Sequence, residues 1–487
     1  MIKIIFLLLI SIPLFAQNDL FFEDYFLDET MRIDYFHIGD AKNEMITMDK
    51  IYRYGIWAGS LTHLVDDLNN GKYYYKIYDA ASNKLIFSKG FDTFFGEYRS
   101  SDGGVDGKMK SFSESAIIPF PKSKIIFAIE ERNEQNEMKE FFKTEIDPQN
   151  IFIIKDKVED SSAEIFQPAY SGDPHFKVDV VILAEGYTIS EREKFENDLN
   201  RFVNYFLEQE PYTSQKSDFN FYGVFKPSEE SGTDLPGADI FVNTVLSTTF
   251  WSLGSERYLM TEDNKTMRDL AANVPYDAIY IQVNHSRYGG GGIYNQFCTY
   301  STDNQFAKYL FTHEFGHSFT GLADEYYTSD VAYNDFYKPT LEPIEPNVTA
   351  LLDPQNVKWK EYLSEGIEIP TPWGKEEFDK FSYEWLKERN RLNSYIAELK
   401  KNRASDEQIK AAEEEYAMKD KQQSEKVDKY LMSSKYWDQV GAFEGAGYLP
   451  KGFYRPMLDC IMFSKGDKPF CKVCEAAIKN VINHYIY

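Results

Sequence analysis

Along residues 17–165, apolar and aromatic positions fall in short runs, such as Tyr73-Tyr74-Tyr75-Lys76-Ile77-Tyr78 and Lys124-Ile125-Ile126-Phe127-Ala128-Ile129. Turn-forming stretches such as Ser101-Asp102-Gly103-Gly104 separate them. Aromatic and β-branched runs at this spacing predict an all-β sandwich. Ser, Gly and Pro cluster between Ser161 and Asp173 and mark a boundary. Beyond it the text alternates. Residues 178–187 read as a buried strand ending in a glycine turn, and Ser190 to Phe195 open a helix in the style of a capping box. Phe202, Tyr205 and Phe206 give that helix an apolar stripe, and residues 219–225 and 278–284 read as further strands. Alternation of this kind predicts an α/β domain over 166–487.

Residues 375–432 follow a different rule. Phe378, Phe381, Trp385, Leu392, Tyr395 and Leu399 recur at helical steps, and the run 406–431 is rich in Glu, Lys, Gln and Ala. Together they predict a helical hairpin inserted into the α/β domain, most simply a solvated arm. Gly289 to Gly292 precede no Lys-Ser/Thr pair, which excludes a phosphate loop. They read as a flexible loop or sheet edge, with residues 293–300 offering backbone to an extended peptide.

The first sixteen residues stand apart. Lys3, the apolar run 4–15 and Ala16 form a secretory signal pattern cut near Ala16, too short to span a bilayer. An exported protein is therefore expected, with no stable membrane insertion. A net charge of -25 excludes nucleic acid and anionic membranes as natural partners. The four cysteines, Cys298, Cys460, Cys471 and Cys474, point first to disulfides in an exported chain. Cys471 and Cys474 have metal-pair spacing, but no second pair completes a zinc site.

The chemistry concentrates at His313-Glu314-Phe315-Gly316-His317. On a helix the two histidines lie one turn apart on one face and reach one metal ion. Glu314 is placed between them to act as general base on water at the metal. The helix is expected to start near Thr302 or Asp303 and to stop at Gly321. Zn2+ in a hydrolase takes three protein ligands. Metzincin peptidases place a glycine three residues, and the third ligand six, after the second histidine. Here Gly321 and Asp324 each lie one residue later, which favours Asp324 over Glu325, with Glu342 and Glu345 as rivals. Cys460-Ile461-Met462 is similar to the metzincin turn that puts a methionine floor under the metal, so Met462 takes that role. Tyr454, Tyr326 and Tyr327 are the oxyanion stabilisers to consider. His37 and His63 are isolated and read as structural, and the N-terminal module as structural or substrate-presenting.

The chain resembles the IgA peptidase family of secreted bacterial metallopeptidases. The resemblance is carried by Leu183-Ala184-Glu185-Gly186-Tyr187-Thr188, Tyr288 to Asn295, His313 to Tyr326, Glu345-Pro346-Asn347-Val348-Thr349 and Lys358-Trp359-Lys360. Gly441 to Tyr448 and Phe470-Cys471-Lys472-Val473-Cys474 complete it. It implies a metzincin-like zinc endopeptidase acting on protein or glycoprotein, with His313, Glu314 and His317 in the active site. The competing expectation is a catalytically retired fold serving as a protein or glycan binding module. The intact Glu314 speaks against that reading.

Overall fold

A computed structural model describes residues 20–155, 160–328 and 337–486. The signal pattern at residues 1–16 lies outside the described residues.

The N-terminal region forms two antiparallel sheets. One carries β1 (Phe26–Gly39), β2 (Glu44–Tyr54) and β5 (Lys110–Pro121) in the order β2-β1-β5. The other carries β3 (Tyr73–Asp79), β4 (Leu85–Phe91), β6 (Ile125–Arg132) and β7 (Met138–Ile146) in the order β4-β3-β6-β7. Met31, Ile33 and Ile118 from the first meet Tyr75, Ile77 and Phe127 from the second in one core. Facing β-branched and aromatic residues thus bury the two inner faces together, as the runs predicted.

The α/β region is built on six strands: β8 (Glu164–Ala169), β9 (Val178–Glu185), β10 (Phe219–Phe225), β11 (Ala278–Val283), β12 (Gly290–Ile293) and β13 (Phe297–Ser301). Their order is β12-β13-β11-β9-β10-β8. The four central strands are parallel, and each edge strand is antiparallel to its neighbour. Successive residues of β9 take opposite faces. Val180 and Ile182 pack with the helices Arg192–Leu207, Ala307–Thr320 and Lys472–Ile486, whereas Val181 and Leu183 join a second core. That second core includes Phe94, Phe95 and Phe112, so the N-terminal sheets dock on the back of the α/β sheet. Burial on both faces explains why β9 and β11 read as unbroken apolar runs.

Several expectations change in detail. The helix after β9 is Arg192–Leu207, and the capping box belongs to the short 3-10 turn that leads into it, Ile189–Glu191, where Thr188 and Glu191 form it rather than Ser190. Gly186 precedes it at φ +70, where a Cβ would lie 1.9 Å from the Gly232 carbonyl oxygen. Residues 297–301 are not an edge: β13 pairs with both β11 and β12, and the edge strand is β12. The helical hairpin is present as Lys375–Lys401 and Asp406–Met432. It is not a free arm. Asn393 donates to Glu256 Oε2 at 3.1 Å, Gln305 to the Ala417 carbonyl at 2.8 Å, and Lys465 to Asp420 Oδ2 at 2.9 Å, which tie it along the catalytic-side surface. Among the described residues no helix is long and apolar enough to cross a membrane.

Candidate active site

The motif helix is Ala307–Thr320, shorter at its start than expected. Thr302 is held instead by its N–H on the Val283 carbonyl, and the Asn304 side chain accepts from the Phe306 N–H at 2.8 Å. Those local bonds offer the backbone a turn in place of a helical start. The other end is as expected: Gly321 caps the helix at φ +69, and its left-handed conformation reverses the chain.

That reversal brings three donor atoms together. Asp324 Oδ1 lies 3.1 Å from His313 Nε2 and 3.2 Å from His317 Nε2, and the two Nε2 atoms are 3.2 Å apart. His313 Nδ1 donates to the Ile461 carbonyl at 2.9 Å, and His317 Nδ1 to the Leu322 carbonyl at 2.6 Å. With each Nδ1 proton so committed, both Nε2 atoms are free to act as ligands. Asp324 Oδ1 is buried and makes no hydrogen bond within the described residues. Three ligands at about 2.0–2.1 Å from a tetrahedral ion would sit about 3.3 Å from one another. The observed triangle fits a metal ion. Burial alone would raise the Asp324 carboxyl, but the two imidazoles hold it well below the usual range. Burial opposes charge on His317, yet Asp324 outweighs it and lifts His317 to about 9. A proton there is the metal-free alternative, and a metal competes for the same place.

The rivals for the third position stand outside the donor triangle, although Glu345 lines the same cleft. Glu342 faces Lys358 at 3.7 Å, and Glu325 points away from the histidines toward the cysteines. Met462 is fully buried, and a Cβ on Gly316 would lie 3.0 Å from its sulfur. The methionine therefore packs against the motif helix between the two histidines.

Glu314 faces the edge strand. A Cβ on Gly290 would meet Glu314 Oε1 at 3.0 Å, and one on Gly292 would lie 2.5 Å from the Glu314 carbonyl and 3.0 Å from His317 Cβ. The glycine run is thus the close approach between β12 and the motif helix, not a flexible loop. Burial pushes the Glu314 carboxyl up, against the pull of His313 and His317.

The cleft above these groups is lined by Arg257, Tyr288, Tyr326, Tyr448 and β12, with Asp92 and Glu97 contributed by the N-terminal region. Tyr454 does not belong to it. Its strand, β15 (Leu449–Arg455), pairs with β14 (Phe443–Ala446), and alternation buries Phe453 and Arg455 while turning Tyr454 elsewhere. Tyr327 is also spent, donating to Asp379 Oδ1 at 2.6 Å. Tyr326 is in place: Arg257 donates to its oxygen at 2.6 Å. Tyr448 was not anticipated. Its hydroxyl donates to Asp324 Oδ2 at 2.7 Å from a backbone at φ +67. The glycine-rich setting of Gly445 to Tyr448 was the only trace of it in the sequence.

The expected disulfides are not formed. All four cysteines are free thiols, and Cys460 Sγ and Cys474 Sγ stand 3.9 Å apart against about 2.05 Å for a bond. Cys298 lies on β13, away from the other three. His37 is structural, held between Glu114 and Glu44, and His63 packs on His484.

A mixed α/β scaffold with two histidines and a carboxylate converging below a cleft defines a metallopeptidase-type centre. The family comparison agrees: the IgA Peptidase M64 model matches residues 167–482, and the Peptidase M64 N-terminus model matches residues 21–143. The chain belongs to the IgA peptidase M64 family, and it is a metallopeptidase by that membership. Among curated proteins, none matches the chain significantly.

Proposed function

We propose that the protein is an exported, metzincin-like zinc endopeptidase that cleaves protein or glycoprotein substrates. The observation that carries this reading is the convergence of His313 Nε2, His317 Nε2 and Asp324 Oδ1 within 3.2 Å of one another beside the buried Glu314. Zinc, when held there, supplies Lewis acidity toward a carbonyl and acidifies water to near neutrality. The chain does the rest. Glu314 takes a proton from the attacking water and delivers it to the leaving nitrogen, and its burial favours the first transfer by raising its affinity for the proton. Tyr448 fixes Asp324 by its second oxygen. Arg257 holds the Tyr326 hydroxyl in the cleft, where it faces a developing oxyanion.

The substrate would lie along β12. Among the described residues, the outer side of this strand meets other chain at its ends, where Leu259 N–H reaches the Gly290 carbonyl and Asp92 N–H the Tyr294 carbonyl. An extended peptide pairing with residues 291–293 would run past Glu314 and both histidines. Export rests on the signal pattern at residues 1–16.

The test is cleavage of a peptide library by full-length protein stripped with a chelator and then reloaded with zinc. Wild type and Glu342→Ala should regain activity, and Asp324→Ala should not. An Asp324→Ala protein that regains the wild-type rate would remove Asp324 from the site.

A further inference from the structure

A second group of donors lies beneath the active centre. Glu325, Cys460, Cys471 and Cys474 are each 3 % exposed or less, and one ligand atom from each falls within 4.8 Å of all the others. Cys460 Sγ and Cys474 Sγ are 3.9 Å apart. Glu325 Oε1 is 3.4 Å from Cys474 Sγ and 3.9 Å from Cys471 Sγ. Around a tetrahedral zinc, with bonds of about 2.3 Å to sulfur and 2.0–2.2 Å to oxygen, neighbouring ligands would be about 3.5–3.8 Å apart. The cluster needs little adjustment to reach that geometry.

Independent observations point to a cation. Glu325 is a fully buried carboxylate, and its Oε2 has no hydrogen-bond partner among the described residues. Oε1 accepts from the neutral Asn347 side chain at 3.0 Å. The buried guanidinium of Arg455 spends its hydrogen bonds on the carbonyls of Leu458 and Gly445 and acts on Glu325 through its charge alone. Among the described residues no cation makes an ion-pair contact with this carboxylate, and buried charges of this kind are paired or bind metal. The backbone also offers donors to sulfur: Cys471 N–H donates to Cys460 Sγ at 3.2 Å and Cys474 N–H to Cys471 Sγ at 3.4 Å. One disulfide among three cysteines would leave the third thiol and Glu325 together, with the carboxylate still unmatched.

We propose that Glu325, Cys460, Cys471 and Cys474 form a closed structural zinc site. Four protein ligands leave no open position for water, and three sulfurs select a soft or borderline ion. The site joins the segment after the motif helix, the turn before Met462 and the start of the last helix. Its ligands adjoin the catalytic set: Glu325 follows Asp324, and its N–H donates to the Met462 carbonyl at 2.8 Å. Cys460 precedes Ile461, whose carbonyl fixes the His313 ring. The second ion would clamp the backbone that aims Asp324 and His313.

The test is zinc per chain in full-length protein, measured by elemental mass spectrometry beside a count of thiols alkylated in denaturant without reductant. Wild type should carry two zinc ions and four reactive thiols. The double variant His313→Ala/His317→Ala should keep one ion, and after exchange for cobalt it should show thiolate-to-cobalt charge-transfer absorption. Cys474→Ser should lose one ion and melt at a lower temperature. Should that variant fail to fold, the double-histidine variant carries the test alone. A zinc-free double variant, or two thiols hidden in a disulfide, overturns the proposal. One ion in both wild type and double variant would uphold the cysteine site and count against the histidine site instead.

Discussion

Tyr448 donates its hydroxyl to Asp324 Oδ2 at 2.7 Å, which turns Oδ1 toward the two histidines. A carboxylate fixed by one oxygen presents the other with little freedom left to lose. Outer partners of this kind orient a metal ligand and raise its affinity.

Tyr448→Phe removes that bond and leaves the ligands intact. Zinc affinity at the histidine site should fall by about 10–100-fold, read by competition with a chromophoric chelator. The unfolding midpoint of the zinc-saturated protein should stay close to wild type. Unchanged affinity would mean that Asp324 is aimed by its backbone alone.

Gly292→Ala tests the approach of β12 to the motif helix. Its Cβ would lie 2.5 Å from the Glu314 carbonyl oxygen, so strand or helix must shift. The expected cost is about 1–3 kcal/mol in denaturant unfolding. Peptidase activity should fall further than stability if the substrate pairs with this strand as proposed. A variant as stable and as active as wild type would show that the two elements separate freely.

Of the three tyrosines that the sequence offers as oxyanion donors, Tyr326 and Tyr454 should behave differently. Tyr326→Phe removes the hydroxyl that Arg257 holds in the cleft and should lower kcat by about 10²-fold. Tyr454→Phe changes a side chain outside the cleft and should leave kcat and KM unaltered. Equal losses from the two variants would contradict the placement.

His37 gives the N-terminal sheets a pH dependence. Burial alone would lower its pKa, but Glu114 and Glu44 outweigh burial and raise it from 6.5 to about 9. Because the folded value is the higher one, the stabilisation is complete below about pH 6.5 and is lost as pH rises through 9. Its size is on the order of 3 kcal/mol. Unfolding free energy measured from pH 6 to 10 should therefore fall more steeply for wild type than for His37→Gln. Parallel curves would show that the imidazolium is not what holds those carboxylates.

The convergence of the candidate site residues was legible in the sequence because they are local. His313, Glu314 and His317 share one helix, and Gly321 reverses the chain within reach of Asp324, so counting residues sufficed. The antiparallel edge β8, Tyr448, Arg257 and the docking of the N-terminal sheets depend on long-range contacts that leave no periodic signal. Tyr454 shows the opposite hazard: a shift of one residue along a strand exchanges faces, and aromatic composition does not reveal the face. The cysteine group was obscured because its fourth member is a glutamate and its ligands come from three segments of the chain. Spacing alone made Cys471 and Cys474 look incomplete.

The most direct measurement is the rate of peptide-bond cleavage by wild type and by Glu314→Gln at equal zinc content. Glutamine keeps the shape of the side chain and removes the base. Cleavage should fall by about 10²–10⁴-fold while zinc binding and the unfolding midpoint remain near wild type. A Glu314→Gln protein that cleaves at the wild-type rate, or a zinc-loaded wild type that cleaves no peptide, would contradict the assignment.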